Sequence, residues 1–86
     1  MTAGNSNEEL KQLKKEMVER LAARIRALRK EKGFTNYEKF ANQYNLSRSL
    51  VGKFETGQNM TFFSIVLVAK ALDMPLSEFF SEGFDQ

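Results

Sequence analysis

The side chains best equipped to do chemistry in this sequence are cationic. Twelve lysines and arginines lie between Leu10 and Phe54 (Lys11, Lys14, Lys15, Arg20, Arg24, Arg26, Arg29, Lys30, Lys32, Lys39, Arg48 and Lys53), against Glu16, Glu19, Glu31 and Glu38, so this stretch carries +8. From Glu55 to Gln86 one base, Lys70, faces five acids and the balance is −4. Guanidinium and ammonium groups gathered in one half of a small chain favour a polyanion on that side. The competing explanation is that lysine and arginine are simply good helix formers on wet faces. Histidine and cysteine are both absent. The commonest general base, the commonest transition-metal ligand, thiolate nucleophiles and disulfides are therefore missing. No residue cluster implies a cofactor or a metal, and an enzyme is not expected.

Within the basic stretch, the segment Ser47–Phe54 arranges its polar groups most sharply. On a helical wheel Ser49, Gly52 and Lys53 point away from Val51 and Phe54, with Arg48 flanking them. Gly52 is costly there, since glycine inside a helix loses about 1 kcal/mol relative to alanine. Either a bound polyanion approaches the backbone closely at that point, or an exposed position has drifted.

The elements that must position this face are helical. At 86 residues the chain makes one domain, and its hydrophobic content of 42% is too high for a disordered tail. A first helix starts after Asn5-Ser6-Asn7, places Glu8 and Glu9 in its first turn, and carries the stripe Leu10, Leu13, Met17, Val18, Leu21, Ile25 and Leu28 to a stop at Gly33. A short second helix, capped by Asn36 or Thr35, carries Tyr37, Phe40, Ala41 and Tyr44, and Asn45 suits a left-handed turn position. Ser47 caps a third helix with Leu50, Val51 and Phe54 inward, ended by Gly57. Thr61 caps a fourth with a core face of Phe62, Ile65, Val66, Ala69 and Leu72, and Pro75 opens a fifth with Leu76, Phe79 and Phe80. The expected fold is all-α with five helices. The polar start at Met1–Asn7 and the short apolar run Ile65–Ala69 show neither a signal peptide nor a membrane span, so a soluble, cytoplasmic chain is expected, with no membrane partner.

The block Phe40–Gly57 has the small residue, turn residue, apolar plug (Leu46) and capped second helix that a helix-turn-helix needs. With Ile25-Arg26-Ala27-Leu28-Arg29, Phe54-Glu55-Thr56-Gly57, Ile65–Leu72 and Leu76-Ser77-Glu78-Phe79-Phe80, the sequence resembles the lambda-repressor/Cro-like (XRE) helix-turn-helix family from about Arg20 to Phe80. The resemblance implies a five-helix lambda-repressor-like DNA-binding domain with an N-terminally extended first helix. It also implies a transcriptional regulator that binds double-stranded DNA with the third helix in the major groove. Arg48, Ser49, Gly52 and Lys53 then match base-facing positions. Asn36, Tyr37, Ser47, Gln58 and Asn59 match phosphate-facing ones, and Arg29 and Glu55 match a structural ion pair. Four departures stand out. Gly33 to Ala41 is one residue longer than the usual spacing, Tyr37 replaces a common Gln, Asn45 a glycine and Met60 a proline.

The expected organisation is a flexible N-terminus (1–7), an extension of the first helix (8–19), the DNA-binding domain (20–80) and a C-terminal tail (81–86). Leu10, Leu13 and Met17 on the extension, Phe63 and Leu67 off the core face of the fourth helix, and Phe84 in the tail have nothing obvious to cover them. Either extension and tail fold back over Phe63 and Leu67, or these residues form a homodimer surface suited to a palindromic site. An antitoxin-like or adaptor module, with a protein partner and DNA binding secondary or lost, is the alternative function.

Overall fold

The computed structural model describes residues 6–58 and 61–85 of the chain. Its spine is α1, Asn7–Glu31. A reciprocal capping box starts this helix: the Ser6 hydroxyl accepts from the Glu9 amide at 3.1 Å, and the Glu9 carboxylate accepts from the Ser6 amide at 2.9 Å. Glu8 and Glu9 in the first turn and Arg29 and Lys30 in the last complement the helix dipole. The four remaining helices are α2 (Tyr37–Gln43), α3 (Arg48–Glu55), α4 (Phe62–Ala71) and α5 (Leu76–Phe79).

Local chemistry explains most of these boundaries. Asn36, Ser47 and Thr61 each turn a side-chain oxygen onto the first amides of α2, α3 and α4. Helices α1 to α4 all end in the same doubly bonded turn, with Gly33, Asn45, Gly57 and Asp73 in the left-handed position at φ +91°, +58°, +73° and +54°. Asn45 thus makes the tight bend between α2 and α3, with the Leu46 amide returning 2.8 Å to the Ala41 carbonyl. Pro75 is the residue before α5, where its side chain forms no cap, rather than the helix's first residue.

The second half of α1 supplies Leu21, Ala22, Ile25 and Leu28 to a core completed by Phe40 and Ala41 of α2, Val51 and Phe54 of α3, Ile65, Val68, Ala69 and Leu72 around α4, and Phe79 of α5. Two expectations are corrected here. Phe62 is 62% exposed, and Val66 is only half-buried; Val68 takes the inward place instead. The reason is the helix end: Phe62 is the first residue of α4, one turn ahead of Ile65, and so projects past the core rather than into it. Phe84 is not a free surface either. It packs against the edge of the core, its ring 5.0 Å from that of Phe80.

The four-residue α5 is far too short to persist alone. Phe79 anchors it, and Arg24 of α1 holds its end. The Arg24 Nε donates to the Phe79 carbonyl at 2.7 Å and Nη2 to the Glu78 carbonyl at 2.9 Å, while the guanidinium carbon lies 6.0 Å from the Phe79 ring centroid. Arg20 Nη1 donates to the Asp85 carbonyl at 2.7 Å. The tail therefore turns back to α1, not over Phe63 and Leu67. Those two remain exposed, at 67% and 37%. The first half of α1 is likewise open, with Leu10, Leu13 and Met17 exposed.

Candidate nucleic-acid interface

Helices α2 and α3 pack on each other, and α3 also packs on α1. Val51 and Phe54 are drawn fully into the core. The helical period then turns Arg48, Ser49 and Lys53 outward, all three exposed. They line one shallow depression together with Gly52, Tyr37, Thr56 and Gln58. Six of the expected contact residues, four from α3 and two from the segments on either side, thus share one surface. Two others are committed locally. The Ser47 hydroxyl accepts from the Leu50 amide at 3.2 Å, and the Asn36 side-chain Oδ1 accepts from the Glu38 and Lys39 amides at 2.6 and 3.3 Å. Asn59 and Met60 lie outside the described residues.

Gly52 has a local reason to be glycine that neither earlier explanation contained. A Cβ placed on it would sit 3.2 Å from Cε1 of Tyr37 and 3.4 Å from its Cζ and hydroxyl oxygen. The phenol ring lies against the backbone of α3, so the unusual tyrosine and the unusual glycine are two halves of one contact. Arg48 also has an immediate neighbour, the Glu38 carboxylate at 3.4 Å, with 68% and 46% of the two side chains exposed. An exposed pair of this kind is worth about 0–1 kcal/mol. Arg48 is therefore held lightly and can exchange Glu38 for a stronger acceptor.

A family model of the helix-turn-helix matches residues 25–79, well over half of the chain. The chain belongs to the lambda-repressor-like, XRE/Cro-type helix-turn-helix family. It is a DNA-binding transcription regulator in that general sense, and the family is one of DNA-binding domains rather than enzymes. Comparison with curated proteins and with solved structures gave no match. Among the described residues no helix is long and apolar enough to cross a membrane.

In this helix-turn-helix, α2 and α3 form the motif itself, and the far end of α3 is bolted to α1. Arg29 Nε lies 2.7 Å from Glu55 Oε2 with both side chains 8% exposed, and Arg29 Nη1 donates to the Phe34 carbonyl at 2.9 Å. Arg26 adds a bond that the sequence did not suggest. Its Nη1 donates to the Glu55 carbonyl at 2.6 Å, while Nη2 holds the Glu19 carboxylate at 2.9 Å. Glu55 is gripped through side chain and backbone at once, which fixes the angle at which α3 leaves the scaffold.

These bonds revise the meaning of the basic stretch. Arg20, Arg24, Arg26 and Arg29 all donate to backbone carbonyls inside the domain. Their charge serves assembly. The cations facing solvent around α3 are Arg48 and Lys53, and those on the first half of α1 are lysines. Sequence reasoning missed Glu38 as the partner of Arg48 and Thr56 as part of the depression. No periodicity connects Glu38 to a side chain ten positions away, whereas Thr56 directly precedes the Gly57 stop and was legible as a neighbour of the site.

Proposed function

We propose that the protein reads duplex DNA in the major groove through α3, with Arg48 and Lys53 donating to guanine O6 and N7 and Ser49 adding a less selective contact. The observation that carries this reading is the single outward depression in which these three side chains converge, flanked by Tyr37 and Gln58. Tyr37 and Gln58 then hold the phosphates on either side, with Asn36 and Ser47 ordering the helix starts that face them. Gly52 contributes by making room for Tyr37. The protein acts as a homodimer on a palindromic site, its two copies of α3 about 34 Å apart, one helical turn of DNA. Support for a second copy comes from apolar side chains left open: Phe63 and Leu67 on α4, with Leu10, Leu13 and Met17 on α1. The same exposed residues would serve an antitoxin-like or adaptor role, in which they meet a different protein.

Selection from a random duplex pool at stated salt tests the reading, since an enriched palindrome would identify both half-site and spacing. On the selected site, Arg48→Ala and Lys53→Ala are each expected to cost about 1–3 kcal/mol, and less on random DNA. Equal losses on both would remove these residues as base readers. Failure of the pool to enrich any sequence would favour the protein-interaction role.

A further inference from the structure

The family match begins at Ile25 and the core contribution of α1 at Leu21, so the turns of α1 ahead of Leu21 lie outside both. This extension carries a second cationic cleft. Lys11, Lys14 and Lys15 form one of its walls, and Thr56 and Gly57, the turn that ends α3, form the other. The three lysines are spaced i, i+3, i+4, so they share one side of the helix. The turn faces α1 one helical turn further along. A Cβ placed on Gly57 would lie 3.8 Å from Val18 Cγ1 and 3.7 Å from Glu19 Oε1.

The acids near this cleft do little to cancel its charge. Glu19 lines it, but its carboxylate is held by Arg26 at 2.9 Å. Glu8 reaches Lys11 only at 3.9 Å, with both side chains more than three-quarters exposed, a pairing that contributes next to nothing. The cleft is also continuous with the recognition surface, because Thr56 lines both. The lysine wall therefore lies beside the C-terminal end of α3.

We infer that the N-terminal extension is a second DNA contact: Lys11, Lys14 and Lys15 bind backbone phosphates flanking the stretch read by α3. This rests on the major-groove reading above and adds to it a footprint longer than the helix-turn-helix provides. Such contacts carry no sequence information of their own. They raise affinity for every duplex and steepen its dependence on salt.

The test is a potassium chloride titration of binding to the selected duplex, with flanks reaching past the site, and to a random-sequence duplex of equal length. Lys11→Gln/Lys14→Gln/Lys15→Gln keeps good helix formers at exposed positions, so the helix is retained, and circular dichroism verifies it. Each lost phosphate contact lowers the slope of log K against log salt by about 0.9, so the triple variant is expected to lower it by about 2.7 on both duplexes. Its preferred sequence stays that of the wild type. Lys70→Gln, on the far end of α4, is expected to leave the slope unchanged. An unaltered slope in the triple variant, or an equal loss per charge from Lys70→Gln, would overturn the inference. If at the same time Arg48→Ala still weakens the selected site, the major-groove reading survives. Should the wild type bind no duplex at all, both fall together.

Discussion

Replacing Gly52 by alanine sets two effects of similar size against each other, and the structure says which partner decides the outcome. Alanine in a helix interior is worth about 1 kcal/mol over glycine, and Gly52 is the fifth of the eight residues of α3. The new methyl group, however, would lie 3.2 Å from Cε1 of Tyr37, inside the roughly 3.5–4.0 Å at which carbon atoms attract. The ring must recede by a few tenths of an ångström. Tyr37 is 37% exposed and can move, at the cost of a side-chain torsion off its minimum, about 0.5–1.5 kcal/mol. Gly52→Ala alone is therefore expected to change stability by no more than about 0.5 kcal/mol in either direction. In a Tyr37→Ala background the full gain of about 1 kcal/mol returns. Urea unfolding of the four proteins of this cycle measures the coupling, provided the slope m stays constant. If alanine stabilises equally with and without the tyrosine ring, to within about 0.3 kcal/mol, the two residues do not touch and the explanation of Gly52 is wrong.

Arg29→Met leaves the Glu55 carboxylate buried without its partner and is expected to cost about 3–5 kcal/mol in urea unfolding, while Arg29→Met with Glu55→Leu recovers part of that loss. Arg24→Ala removes the donors that hold the end of α5. It is expected to raise amide hydrogen exchange across 76–85 well before α2 and α3 respond, and Arg24→Lys, which lacks the fork, is expected not to restore protection. Leu67→Glu places a charge on the exposed face of α4. If that face joins two copies, sedimentation equilibrium will show the variant at monomer mass where the wild type is a dimer, and a wild type that is monomeric at micromolar concentration removes the homodimer from the reading.

The parts of this fold that could be read from the sequence are those decided within one turn of chain. Ser47, Thr61 and Asn36 announce helix starts because their short side chains reach only their own next amides. Gly33, Asn45 and Gly57 announce ends because few residue types accept positive φ. Asp73 does the same work after α4 but gave no such signal, since aspartate is ordinary in other conformations. Phe62 was misplaced because periodicity says which side of a helix a residue faces and not whether any packing partner reaches that far along its axis. The site divides the same way. The outward set Arg48, Ser49 and Lys53 follows from the period of a single helix. The pairing of Tyr37 with Gly52, and of Glu38 with Arg48, depends on how α2 lies across α3, which only tertiary packing determines.

The four arginines of α1 have a consequence for how this domain can change over time. Arg20, Arg24, Arg26 and Arg29 find acceptors in the carbonyls of Asp85, Phe79 and Glu78, Glu55, and Phe34. Every residue type presents a carbonyl. Substitution at the exposed positions 78 or 85 can therefore alter the side chain completely while the bond to the arginine persists, so long as the local backbone keeps its course. Such a contact binds one position tightly and leaves its partner free to drift, and the two will not vary together among related sequences. The pairs that also join two side chains, Arg29–Glu55 above all and then Arg26–Glu19 and Arg24–Glu82, are the ones expected to leave that kind of trace, and they belong to a larger arginine framework that holds α3, α5 and the tail against the same helix.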